Sequence, residues 1–184
     1  EPVAVLAEPL SIAEKAISEA VRVQVARRPA GLATPQWLSG RRCLVAGLGP
    51  VGLLAALVLR LRGAEVWGLD VVDEASARPR WLKAIGGQYV DGRQVKPAQV
   101  DDKLGAMEFI FEATGVASLE FNLLDALGEA GAYVLTGIPG GDRPAQLPAA
   151  RLVREFVLST RLMLGSVTAA LRSDPVPRAL DRRR

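Results

Sequence analysis

The 184-residue chain contains no histidine and a single cysteine, Cys43. Without histidine it has neither the usual general base at neutral pH nor the commonest metal ligand. With one cysteine it forms no intrachain disulfide and no cysteine zinc cluster. Both absences argue against a complete catalytic site within this piece. Nothing points to secretion, and a reducing cytoplasm is the expected compartment. Long apolar runs are also missing. The nearest candidate, "GLLAALVLRL", falls short of the roughly 20 residues a membrane span needs and is broken by Arg60. No membrane association is expected. The start, Glu1-Pro2-Val3, has neither a basic segment nor an initiator Met, so it does not read as a signal peptide, and the chain is expected to be cut from something longer. The net charge is only +3, much of it from Arg182-Arg183-Arg184. No basic stripe interleaves with aromatics, so nucleic acid is not an expected partner.

What is present is an ordinary globular composition, 49% apolar and 23% charged, enough for one domain. Residues 1–10 carry two prolines and read as extended or loop-like. A helix is expected from Ser11 to about Arg27, with Ser11 as N-cap, Glu14 three residues on, and Ile12, Ala16, Ile17, Ala20 and Val21 on one face. The breaker-rich stretch "RRPAGLATPQWLSGRR" reads as a linker. Cys43, on a buried strand, is expected to be a small core residue.

Strand and helix signals then alternate. Strands are expected at Arg42–Ala46, Glu65–Asp70, Gln88–Val90, Glu108–Ala113, Ala132–Thr136 and Leu162–Val167. Helices are expected at 50–62, 77–85, 117–128 and 151–159, with a further helical turn at 99–105. Several strands are nearly continuous apolar runs, as in parallel strands covered on both faces. The pattern predicts an α/β fold, a Rossmann-type doubly wound parallel sheet in the order 3-2-1-4-5-6. Three regions follow: an N-terminal segment, helix and linker at 1–40, the dinucleotide-binding domain at 41–170, and a frayed tail at 171–184.

The chemistry concentrates in "GLGPVG", residues 47–52, which follows a strand and opens a helix. Gly47 permits the tight turn, Gly49 lets a pyrophosphate approach the backbone, and Gly52 lets the helix pack on the strand. Free N–H groups at the helix start, with the helix dipole behind them, suit a phosphate. Pro50 fits the first turn because its missing N–H would be unpaired there. Asp70 closes the second strand, where a carboxylate accepts hydrogen bonds from the ribose hydroxyls of an adenosine and repels a 2′-phosphate. This favours NAD over NADP, although Arg78 and Arg80 downstream keep NADP open. A methyltransferase binding S-adenosylmethionine shares such a loop and acid, and stays open too. In this topology ligands sit beyond the carboxyl ends of the strands. That directs attention to Ala113-Thr114-Gly115, to "TGIPGG" from Thr136, and to "GSVTA" from Gly165.

The pieces "AEPLSIAEKAI" (7–17), "CLVAGLGPVGLLAALVLRLRGAEVW" (43–67), "IGGQYVD" (85–91), "FIFEATG" (109–115), "GAYVLTGIPGG" (131–141) and "LMLGSV" (162–167), taken together, resemble the medium-chain, zinc-type alcohol dehydrogenase superfamily, and within it the microbial glucose dehydrogenase branch. The resemblance implies that Gly47, Gly49, Pro50, Val51 and Gly52 hold the cofactor pyrophosphate and that Asp70 holds the adenosine ribose. It implies that Thr114 and Gly115 line the cofactor and that Thr136, Gly137, Ile138, Ser166 and Val167 lie by the nicotinamide. Glu8, by itself an unremarkable surface acid, becomes a candidate zinc ligand. The family's remaining zinc ligands, in its separate catalytic domain, are not in this sequence. The implied activity is a zinc-dependent, NAD(P)-linked dehydrogenase of a sugar or polyol, with this piece as its nucleotide-binding domain. A stand-alone nucleotide-binding module without chemistry is the alternative. The resemblance also implies a homo-oligomer paired through the last strand.

Overall fold

The apolar runs between glycine-rich turns become strands. A computed structural model of the chain describes residues 4–27, 34, 36–140 and 146–167. Its strands are β1 (Arg42–Ala46), β2 (Glu65–Asp70), β3 (Gln88–Asp91), β4 (Met107–Glu112), β5 (Leu127–Leu135) and β6 (Leu162–Gly165). They form one six-stranded sheet in the order β3-β2-β1-β4-β5-β6, with every pairing parallel. This is the Rossmann order, and its topological switch lies between β1 and β4. The helices are α1 (Ala7–Ala26), α2 (Pro50–Leu61), α3 (Ala77–Ala84), α4 (Val100–Leu104), α5 (Ala117–Asn122) and α6 (Ala149–Leu158).

Alternation along the central strands sends side chains to two separate cores. Cys43 and Val45 of β1, with Phe109 and Phe111 of β4, pack under α1 and α2 against Ile17, Ala55 and Leu59. Leu44, Ala46 and Ile110 face the other way, toward Leu123, Leu127 and Tyr133. A strand with apolar residues at every position is what burial on both faces requires. Cys43 is a packing residue, as its surroundings suggested: burial pushes its thiol well above the ordinary range, so it is no nucleophile.

Three expectations need correction. The first helix starts at Ala7, not Ser11, after a 3-10 turn at Ala4–Leu6; the reach to Pro9 is allowed because the first-turn N–H groups have no helical partner. Ser11 is therefore not an N-cap; its hydroxyl donates to the Glu8 carbonyl (2.7 Å). Second, the helix expected at 117–128 ends at Asn122, continues as a 3-10 turn to Ala126, and gives way to β5 at Leu127 rather than Ala132. The pairing with β4 jumps from Met107↔Leu127 to Phe109↔Ala132, and the extra residues are accommodated by Ala130 at φ 52°. Third, the stretch read as a linker carries core residues: Trp37 and Leu38 are buried, and Trp37 meets the Phe109 ring edge-on at 6.4 Å. Of that stretch, residues 28–33 and 35 lie outside the described residues, as do Gly141, Thr168, Ala169 and the expected tail at 171–184.

Candidate functional site

The turn from β1 into α2 is built by three glycines with three different requirements. Gly47 sits at φ 87°, a region that side chains disfavour, and its N–H donates to the Leu69 carbonyl (2.8 Å). Gly52 has no room at all: an added Cβ would lie 1.8 Å from the Gly47 carbonyl oxygen. Gly49 caps α2 in extended backbone, and an added Cβ would meet nothing within 4 Å. It lines a cleft of about 350 Å³, together with Gly47, Asp70, Arg78, Ala113 and Thr114 among others. Pro50 is the first helical residue and needs no N–H partner. Val51 is half-buried against the core beneath.

Asp70 ends β2 at the cleft with its side chain 12% exposed. Its Oδ2 accepts the N–H of Leu48 (2.8 Å) and its Oδ1 accepts the N–H of Val71 (2.7 Å). A carboxylate has about four acceptor positions, so capacity remains on the cleft side. Arg78 folds back from α3 to place Nη1 3.8 Å from Asp70 Oδ2; Arg80 is exposed and lines neither cleft described here. The loop after β2 is held from below by Tyr89, whose hydroxyl lies 2.9 Å from the Asp70 carbonyl and 2.5 Å from that of Val72.

Asp91 stands beside Asp70 in the β2–β3 register and is clasped by Arg93 (Nη2 to Oδ2, 2.7 Å). Hydrogen bonds from Arg93 hold its carboxyl at about 2, below the ordinary 3.8. A depressed acid contributes stability above its unfolded pKa and loses it as pH falls through the folded value. The Asp91–Arg93 contribution should therefore be whole above about pH 5 and gone near about pH 1. Urea denaturation should find Asp91→Asn less stable than the parent at neutral pH and indistinguishable from it at the acid end.

The loops after β4, β5 and β6 form the rest of the site. Thr136, Gly137, Ile138, Gly165, Ser166 and Val167 line a second cleft of about 280 Å³. Ser166 is 9% exposed, and its buried hydroxyl oxygen has no hydrogen-bond partner. Gly115 lines neither cleft but packs against the loop after β5: a Cβ there would stand 2.7 Å from the Ile138 carbonyl oxygen. Sequence reasoning missed Glu112, the last residue of β4, which is fully enclosed and accepts hydrogen bonds from Thr114 and Gly115. The signal was an acid closing the apolar run Phe109–Phe111 at the end of a strand. Glu120 is buried nearby, and desolvation, then the charge of Glu112, raises its carboxyl above the ordinary range.

Glu8 stands apart. It is exposed in the first turn of α1 and lines neither cleft. Among the described residues no group of three His, Cys, Asp or Glu side chains is placed to hold a metal ion.

Residues 1–173 match the family model described as glucose dehydrogenase C-terminus. Glucose 1-dehydrogenase of Thermoproteus tenax is 36% identical over 173 residues, covering 92% of this chain and 45% of that protein. Glucose 1-dehydrogenase of Methanocella arvoryzae is 33% identical over 169 residues, covering 91% of this chain and 44% of its own length. Among solved structures, Haloferax mediterranei glucose dehydrogenase in complex with NADP, Zn and gluconolactone superposes with a TM-score of 0.79 at 29% identity, over 90% of this chain and 44% of that one. The chain thus spans less than half the length of the relatives it matches.

Proposed function

Because the chain belongs to the glucose dehydrogenase C-terminus family, we propose that residues 41–170 are the nucleotide-binding domain of a zinc-dependent NAD(P)-linked dehydrogenase. Its substrate is a hydroxyl of a glucose-like sugar or polyol. The observation that carries this reading is the pairing of an open Gly49 at the α2 start with the Asp70 carboxylate across one cleft. A bound nicotinamide cofactor would supply the acceptor for a hydride. The chain's own residues bind and orient it. Gly47, Gly49, Pro50, Val51 and Gly52 form the turn that receives the pyrophosphate, with the first N–H groups of α2 and the helix dipole facing it. Asp70 takes the adenosine ribose hydroxyls. Thr114 and Gly115 line the middle of the cofactor, and Thr136, Gly137, Ile138, Ser166 and Val167 flank the nicotinamide. Small residues at the second cleft leave room for a flat ring.

NAD is the preferred cofactor in this reading, because a carboxylate at Asp70 repels a 2′-phosphate. Arg78, close enough to Asp70 to soften that repulsion, keeps NADP as the weaker alternative. The Haloferax relative, whose structure is with NADP, differs from this expectation. The described residues alone do not make a zinc site. Glu8 is proposed as one donor, and the other donors would come from elsewhere in the full-length protein. Cytoplasmic location and pairing through the edge strand β6 complete the reading. The sheet order, which leaves β6 at an edge, supports the pairing; among the described residues no helix is long and apolar enough to cross a membrane.

The test is steady-state oxidation of glucose by the full-length protein. Turnover with NAD exceeding that with NADP, lost on zinc chelation and restored by added zinc, is expected. Turnover indifferent to chelation would remove zinc from the account. No oxidation of any sugar or polyol with either cofactor would refute the dehydrogenase assignment.

A further inference from the structure

The acid at the end of β4 does something that a packing residue would not need to do. Glutamate is almost never fully buried without a cationic partner. Glu112 is 0% exposed, yet it belongs to none of the ion pairs among the described residues. Its Oε1 instead accepts the N–H of Thr114 (2.5 Å), the Thr114 hydroxyl and the N–H of Gly115 (3.2 Å). Its main-chain carbonyl accepts the N–H of Thr136 (2.9 Å), the Thr136 hydroxyl (2.7 Å) and the N–H of Gly137 (3.3 Å). One residue thus gathers donors from both loops. The side chain takes the loop after β4, and the main chain takes the loop after β5.

The packing around it is tight. Its Oε2 is buried without a hydrogen-bond partner and faces Gly137, where an added Cβ would come within 2.5 Å of it and 2.3 Å of the Gly115 nitrogen. An apolar side chain of similar volume would avoid the cost of desolvating a carboxylate. What such a side chain lacks is an acceptor for three donors that belong to Thr114 and Gly115. Thr114 lines one cleft, and Thr136 and Gly137 line the other. Glu112 lines neither.

We infer that Glu112 is a positioning residue, which fixes the loops after β4 and β5 in the arrangement that receives the nicotinamide half of the cofactor. The inference rests on reading the two clefts as one dinucleotide site. Glu112 acts through Thr114 and Gly115, without touching the ligand.

The test is titration of the full-length protein with NAD and, separately, with AMP, which carries the adenosine half alone. Glu112→Leu removes the acceptor; NAD affinity should fall about tenfold or more, while AMP affinity stays within about threefold. Glu112→Gln keeps a carbonyl oxygen for the same donors and should hold NAD affinity within about threefold of the parent. A merely structural residue would lower the melting temperature without separating NAD from AMP. Equal losses for both ligands, or unchanged NAD affinity in Glu112→Leu, would overturn the inference. Should Glu112→Leu fail to fold, Glu112→Met removes the same acceptor with an unbranched side chain that adapts more readily to the buried space. Loss of NAD with AMP retained is again expected, and unchanged NAD affinity overturns the inference. Parent protein that binds neither NAD nor AMP would instead refute the dinucleotide reading itself.

Discussion

Gly52→Ala should destabilise the domain by about 3 kcal/mol or more, at the upper end of what one added methyl does. The methyl carbon would fall 1.8 Å from the Gly47 carbonyl oxygen and 3.4 Å from Val45 Cγ1. Neither neighbour is free to retreat. Gly47 is held through its N–H to Leu69, and Val45 lies in the fully buried centre of β1. The helix must move off the strand, and the turn opens. Gly49→Ala, three residues earlier, should behave in the opposite way. Its methyl meets nothing within 4 Å, and the extended backbone there suits any residue. Its stability cost should stay below about 1 kcal/mol. Gly49 lines the cleft where the pyrophosphate is proposed to approach, and the added methyl should lower NAD affinity about tenfold or more. Urea denaturation read beside ligand titration separates the two glycines. A Gly49→Ala protein that is stable and binds NAD normally would remove the turn from the proposed site.

Asp70→Ala should lower NAD affinity by about tenfold to a hundredfold, the scale of one hydrogen bond from a hydroxyl to a carboxylate. Part of the effect is structural. The Leu48 N–H loses its 2.8 Å acceptor inside a turn whose Leu48 side chain is fully buried, at a stability cost of about 1–3 kcal/mol. Asp70→Asn separates the two contributions. An amide oxygen still serves Leu48, but the charge facing a 2′-phosphate is gone. Arg78, released from its 3.8 Å partner, becomes available to that phosphate. The NAD-to-NADP affinity ratio should therefore move toward NADP by about tenfold. An unchanged ratio in Asp70→Asn would mean that Asp70 does not set cofactor choice.

The sheet was legible because each strand announces itself. "CLVA" and "FIFE" are apolar at nearly every position, and glycines or polar turns punctuate them. β1 and β2 match their expected bounds residue for residue, and the strand order follows from alternation and the right-handed crossover. Errors fell where tertiary contacts outweigh local pattern. The two prolines made residues 1–10 read as extended or loop-like, but Pro9 sits in a first helical turn that asks nothing of its nitrogen. Leu127 and Gly128 read as the end of a helix, but Leu127 pairs with Met107 in the sheet. Trp37 sat in a breaker-rich stretch, and only the fold brings Phe109 to it.

The glycine turn and Asp70 were legible as candidates because their chemistry is tied to fixed spacing. Arg78 was legible only as a charge nearby; its approach to Asp70 depends on how α3 is set on the sheet. Glu112 was not read as a site residue, because its meaning comes from two loops separated by more than twenty residues in sequence and adjacent in space.

The turn between β1 and α2 is proposed to receive a nicotinamide dinucleotide. Calorimetric titration of the full-length protein with NAD, run beside S-adenosylmethionine and repeated on Gly49→Ala, tests this proposal most directly. Saturable NAD binding, no heat from S-adenosylmethionine, and NAD binding weakened about tenfold or more in the variant are expected. Binding of S-adenosylmethionine without NAD, or no binding of NAD at all, would contradict the proposal.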